Sequence, residues 1–171
     1  MNRSLKRLDV VHQKLMDTVQ PLDSNLFTQR PAENEWSVAE IVQHLYLVEA
    51  RVIKDLKRAM DAEPGRINFL KKLLPTSIVS LRIKKVQSPT AVKPVDVPEK
   101  DVVVANYNGA RQSLKDFCNA TGKHRFKTLV FNHPFLGRID GKATVDFVGY
   151  HEQRHLKQIR EVLKKLGSSV R

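Results

Sequence analysis

The chain has 171 residues, 41% of them hydrophobic and 28% charged, which excludes a disordered polypeptide and suits one domain with a substantial core. No run approaches the roughly 18 consecutive apolar residues of a membrane span, and charges are spread through the opening MNRSLKRLDVVHQKLMD. Neither a spanning helix nor a signal peptide is expected. A net charge of +12, from 30 Lys and Arg against 18 Asp and Glu, raises the question of an anionic partner. The cations are scattered, with their densest run between Arg51 and Lys85, and neither aromatic stacking groups nor a reading motif accompanies them. Specific nucleic-acid binding is therefore not expected; the run reads as a solvated basic face or a weak attractor of anionic substrates. Cys118, the single cysteine, excludes an internal disulfide and fits a reducing cytoplasm. Among Leu114, Phe117 and Ala120 it reads as a small buried apolar residue, not a nucleophile.

From Arg3 to Gln20, Leu5, Leu8, Leu15 and Val19 recur at helical spacing until Pro21 ends the run. His12 lies on that stripe, where it either lines a site or is a satisfied core residue; the second reading is favoured because nothing nearby marks it further. Leu22 to Glu35 has no clear period and reads as a loop. Ser37 and Glu40 form a capping box that starts a second helix. Its apolar face is Val38, Ile41, Val42, Leu45, Val48, Val52 and Leu56, with His44 at the inner edge.

Asp61 to Pro98 is the least regular part, with short helices expected at Phe69 to Leu74 and Ile78 to Ile83, interrupted at Pro75. Pro89, Pro94 and Pro98 make the next piece extended, so a long crossover between the second and third helices is implied. It is expected to lie across the mouth of a bundle, as part of a pocket or as packing alone. A third helix runs from Asp101 to Asn119 on Val103, Tyr107, Ala110, Leu114 and Phe117. His124, among Lys123 and Arg125 in a turn, is expected to be solvated. Phe126 to Gly141 reads as a loop in which His133 precedes a proline and is positioned by backbone stiffness, either at the site or as a structural histidine. The last helix is expected to start near Thr144 as cap and to end at Gly167 and Ser168.

That helix carries HEQRHLKQI. His151 and His155, at i and i+4, place two imidazoles on one face, a turn apart, where both reach one ion. A held cation usually needs a third ligand, and His44 on the second helix is the candidate, since apolar stripes face one another in a bundle. HEQRH also matches the H-E-x-x-H motif of zinc proteases, with Glu152 as base, but no histidine comes after His155 to complete such a site.

The segment RPAENEWSVAEIVQHLYLVE resembles the N-terminal signature of the DinB superfamily, where a tryptophan-serine pair opens the second helix and a histidine stands up to two turns later. NHPFLGRIDGKATVDFVGYHEQRHLKQI is similar to that family's C-terminal signature, a loop leading into a helix with H-x-x-x-H, glutamine and isoleucine. The resemblance implies an all-α fold, a four-helix bundle over residues 1–171, with a three-histidine site for a divalent ion such as nickel or zinc at His44, His151 and His155. It also implies a homodimer, and either metal-dependent hydrolases or transferases that join thiols such as bacillithiol or mycothiol to electrophiles. Three readings are open for this chain. The first is a transferase joining a low-molecular-weight thiol to a small electrophile, the second a hydrolase using metal-activated water with Glu152 as proton acceptor, and the third a non-catalytic metal-binding or stress-response module. Nickel, zinc, iron and manganese all suit these residue types.

Overall fold

The computed structural model describes residues 2–63, 90–133 and 136–168. Its elements are α1 (Asn2–Val19), α2 (Ser24–Thr28), α3 (Val38–Asp61), α4 (Lys100–Ala120), α5 (Lys123–Thr128), β1 (Val130–His133), β2 (Gly137–Asp140) and α6 (Gly141–Lys165), with a 3-10 turn at Thr90–Val92. The long helices α1, α3, α4 and α6 make a four-helix bundle. Each is amphipathic, and the apolar faces meet in two core halves. One half holds Leu15, Val19, Ile41, Leu45, Tyr107, Ile159 and Leu163; the other holds Leu8, Val52, Leu56, Leu114, Val145 and Val148. Full burial of such a side chain contributes roughly 1.5–3 kcal/mol.

Membership of the two halves gives the directions. Along α3 and α4 the order is the same, from Ile41 with Val103 to Leu56 with Leu114, so these consecutive helices run parallel. α1 and α6 are also parallel to each other, since Arg7 donates to Asp146 at 3.2 Å and His12 lies 3.4 Å from Glu152 further along both helices. The first pair runs opposite to the second. A link between parallel neighbours must travel back the length of a helix, about 36 Å for one of 24 residues. The long crossover between Asp61 and Lys100 meets that requirement. Its described end is the turn at Thr90–Val92 and then irregular chain through Pro94 and Pro98. The short helices expected at Phe69 to Leu74 and Ile78 to Ile83, and the cations from Arg66 to Lys85, lie outside the described residues.

Three local expectations change. The loop after α1 contains α2, capped by Asp23, whose carboxylate accepts from the Leu26 amide at 2.8 Å. The stretch before the last helix is not a loop throughout. His124 is exposed on α5, and β1 and β2 form an antiparallel hairpin from Val130↔Asp140 to His133↔Gly137. Gly137 supplies the positive φ of 66° at the hairpin end. The cap of α6 is Asp140 and not Thr144: the Asp140 carboxylate accepts from the Ala143 amide at 2.8 Å, while the buried Thr144 hydroxyl donates back to the Asp140 carbonyl at 2.9 Å. The first residue of α6, Gly141, is pressed against Phe126, so that an added Cβ would lie 2.7 Å from the Phe126 carbonyl oxygen. This contact fastens the start of the helix that carries both H-x-x-x-H histidines.

Candidate metal centre

The site begins with two caps. Ser37 accepts from the Glu40 amide at 3.2 Å and the Glu40 carboxylate accepts from the Ser37 amide at 2.8 Å, which fixes where α3 begins. Arg30 holds the same carboxylate, donating from Nε at 2.9 Å. With its start fixed, α3 carries His44 inward, where it is 4% exposed. The Asp140 cap and the Phe126 contact do the same for His151 and His155 on α6.

The three imidazoles converge, although 107 positions separate His44 from His151 in the chain. His151 Nε2 lies 3.4 Å from His44 Nε2 and 3.2 Å from His155 Nε2, and all three nitrogens fall within 4.8 Å of one another. Nitrogens about 2.1 Å from one ion are about 3.4 Å apart at tetrahedral angles and about 3.0 Å apart at right angles. The spacing therefore fits a shared cation.

The hydrogen bonds on the far side of two rings strengthen the fit. His44 Nδ1 donates to the Val92 carbonyl at 2.7 Å, and His155 Nδ1 donates to the Gln158 amide oxygen at 2.9 Å. Both acceptors lack a proton, so each Nδ1 carries one and each Nε2 offers a lone pair inward. His151 can give a single proton to only one of those neighbours. At least one facing pair of lone pairs is thus left without a proton between them, and a cation relieves that repulsion. Burial, first of all, lowers the pKa of His44, His151 and His155, and for the last two the neighbouring histidines lower it further. All three are accordingly held in the neutral, ligating form near pH 7.

Aromatic rings wall the site. Trp36 lies 5.1 Å from the His44 ring, and Phe147 stacks on His151 at 5.2 Å. His133 packs edge-on against Phe147 at 4.3 Å, and its Nδ1 accepts from the Leu136 amide at 3.1 Å. Burial pushes its pKa down to about 4. The hairpin thus places His133 one ring away from His151.

Glu152 and His12 are in a different cluster. Arg111 Nε and Nη2 donate to the two Glu49 oxygens at 2.7 and 3.1 Å, Nη2 also donates to Glu152 Oε2 at 2.9 Å, and Nη1 donates to the Leu8 carbonyl at 2.9 Å. The Tyr107 hydroxyl donates to Glu152 Oε1. His12 closes the outer edge, with Nε2 2.9 Å from Asn108 Oδ1 and Nδ1 3.4 Å from Glu152 Oε1. Glu152, expected as a proton acceptor, therefore has both oxygens engaged while being 1% exposed. Burial raises the Glu49 pKa against the pull of Arg111, and burial with the Glu152 charge raises that of Tyr107.

Sequence reasoning passed over Val92, Glu49 and Arg111, and met Gln158 only as part of a family signature, without a role. Gln158 stands three residues beyond His155 on the same face, which signals a partner for its outer nitrogen. Arg111 comes directly after Ala110 within an apolar stripe, one turn after Tyr107, and a charge there signals a buried partner. The Val92 carbonyl has no signal of its own.

A bundle in which two buried histidines and a half-buried one converge from two helices defines a class, four-helix frames with a candidate cation site inside. The sequence profile of the DinB superfamily matches residues 7–159, and the chain belongs to that superfamily. It is 29% identical over 154 residues to YuaE of Bacillus subtilis (strain 168), itself uncharacterized, covering 85% of this chain and 88% of YuaE. Among solved structures, YfiT from Bacillus subtilis superposes with a TM-score of 0.68 at 17% identity, over 98% of this chain and 88% of YfiT. YfiT is described as a probable metal-dependent hydrolase with an unusual four-helix bundle topology. TT2238, a four-helix bundle protein, superposes with a TM-score of 0.64 at 19% identity, over 94% of this chain and 98% of its own. These likenesses establish the fold. Among the described residues, no helix is long and apolar enough to cross a membrane.

Proposed function

We propose that the protein is a divalent-metal-dependent enzyme that joins a low-molecular-weight thiol to a small electrophile, with His44, His151 and His155 as the metal ligands. The observation that carries the metal part is the convergence of three Nε2 atoms, two of which, those of His44 and His155, have their tautomers set by Val92 and Gln158. A divalent cation held there lowers the pKa of a thiol or a water and so supplies a nucleophile near neutral pH. The chain's own residues orient the imidazoles, and Trp36 and Phe147 pack beside those of His44 and His151.

The thiol is favoured because, among the described residues, no carboxylate joins the ligand cluster and Glu152 is committed to Arg111 and Tyr107. A thiol ionises near pH 8.5 unaided, so it asks less of the metal and of any base than water, which ionises only far above neutral pH until it is bound. A second reading, hydrolysis, is supported by the fold shared with YfiT and its description as a probable metal-dependent hydrolase.

Metal analysis of protein purified without a histidine tag tests the site. Stoichiometric divalent metal is expected in the wild type and its loss in His155→Ala; equal metal in both, or none in either, overturns the ligand assignment. Turnover of an electrophile panel only when thiol is added supports the transferase. Product release with water alone supports hydrolysis, and metal uptake without any turnover leaves a non-catalytic binding module.

A further inference from the structure

A cleft of about 400 Å3 runs between α1 and α6, on the outer side of that helix pair. Six of its ten lining residues are cationic, Arg3, Lys6, Arg7, Lys14, Lys157 and Arg160, and none is acidic. The whole chain has 30 cations and 18 acids in 171 residues, so a random ten would hold about two cations and one acid. The cleft is thus enriched beyond the scattered basic surface. Its floor is aliphatic, with Leu156 4% exposed.

Arg7 is held in place, donating to Asp146 at 3.2 Å with its guanidinium 4.2 Å from the Tyr150 ring centroid. Among the described residues, the other five cations form no ion pair, although the nearby Asp9 and Asp17 do find partners in Lys115 and Gln13. Like charges gathered on parallel helices repel one another, and no carboxylate on the cleft walls offsets the cost. On α1 the cations extend from Arg3 to Lys14, about 16 Å along the axis, while Lys157 and Arg160 face them from α6. A single small anion is too short to meet both ends of such a row.

We propose that this cleft binds a small molecule bearing two or more phosphate groups, independently of the histidine cluster. Lysines act as point charges toward phosphate, and Arg7 and Arg160 supply forked donors. The volume is that of a small-ligand site, and the aliphatic floor accommodates an uncharged portion of the same molecule.

The test is calorimetric titration of the full chain with inorganic tripolyphosphate in 0.15 M salt, where diffuse attraction is screened within about 8 Å. Lys14→Glu and Arg160→Glu are compared with Lys54→Glu and Lys57→Glu, which change the net charge equally from exposed positions on α3. The cleft variants are expected to weaken binding at least tenfold and the α3 variants less than twofold. His155→Ala is expected to bind tripolyphosphate as the wild type does, so failure of the metal assignment leaves this result standing. Equal weakening by all four variants, no binding by the wild type, or loss of binding in His155→Ala overturns the proposal. So does equal affinity for citrate, or tighter binding to a single-stranded oligonucleotide or to phosphatidylglycerol vesicles.

Discussion

Two polar clusters lie inside the bundle, both reached by α3 and α6, and they are finished to different degrees. In the ionic cluster the Arg111 guanidinium meets both Glu49 oxygens, Glu152 and the Leu8 carbonyl, while His12 Nδ1 at the edge, 3.4 Å from Glu152 Oε1, has no hydrogen bond among the described residues. In the histidine cluster two rings are tied down on their outer nitrogens, and the three inner nitrogens face one another at 3.2 and 3.4 Å with at most one proton among them. One cluster is closed and the other is open at its centre. Basic nitrogens gathered with fewer protons than contacts suit a cation, which is why the second cluster, and not the more highly charged first, is the place to look for function.

The sharpest way to break this contrast is Arg111→Met. It leaves Glu49 and Glu152, each 1% exposed, without their cation, and breaking a buried ion pair in this way costs about 3–5 kcal/mol. Urea unfolding of the metal-free protein is expected to show that loss. A shift below about 1 kcal/mol would mean that the carboxylates accept protons or water cheaply and that the cluster is not closed. His155→Ala should do the reverse. Its metal affinity is expected to fall more than about 100-fold, since removing outer partners of a ligand alone costs 10–100-fold. Its metal-free stability should change by less than about 2 kcal/mol, because the lost ring takes a lone-pair repulsion with it. Isothermal titration and urea unfolding of the same sample separate the two effects.

How far these clusters were legible in sequence depends on their physics. His44, His151 and His155 stand out because imidazoles at helical spacing on apolar stripes are uncommon, and the capping box at Ser37 sets the phase of His44. The bundle was equally legible, since its stripes carry the 3.6-residue period. The long crossover was legible too, but the parallel course of α3 and α4 that it serves was not read from it. The ionic cluster was not legible, because Glu49 and Arg111 are 62 positions apart, and the place of Arg111 within an apolar stripe signals a buried partner but not which one. The Asp140 cap was missed in favour of Thr144 because both residue types cap helices and the hairpin that decides between them depends on pairing across residues 130–140. The Val92 carbonyl belongs to every residue type alike, so only the folded chain reveals it.

A smaller effect sharpens the picture of the open cluster. In Gln158→Ala the outer nitrogen of His155 loses its acceptor, and both the tautomer and the ring orientation are freed. Metal affinity is expected to fall about tenfold, with the stoichiometry unchanged. An unchanged affinity would show that packing alone orients His155, and a total loss of metal would make Gln158 a ligand in its own right.

The smallest effect is one of slope. An unfolded chain binds protons at its histidines as the pH falls through about 6.5, whereas the folded chain resists protonation at His44, His151 and His155, and at His133 down to about 4. The unfolded state then holds more protons, so folding stability is present above pH 6.5 and is lost as the pH falls below it. Bound metal also requires neutral imidazoles. Metal-loaded and metal-free proteins should therefore lose stability in parallel from pH 7 downward, separated by a constant offset, until the folded site itself takes up protons. His133→Gln should make both declines shallower. If the offset shrinks already between pH 7 and 6, the metal-free site titrates like ordinary exposed imidazoles, and its lone pairs are not held together by the fold in the way the distances imply.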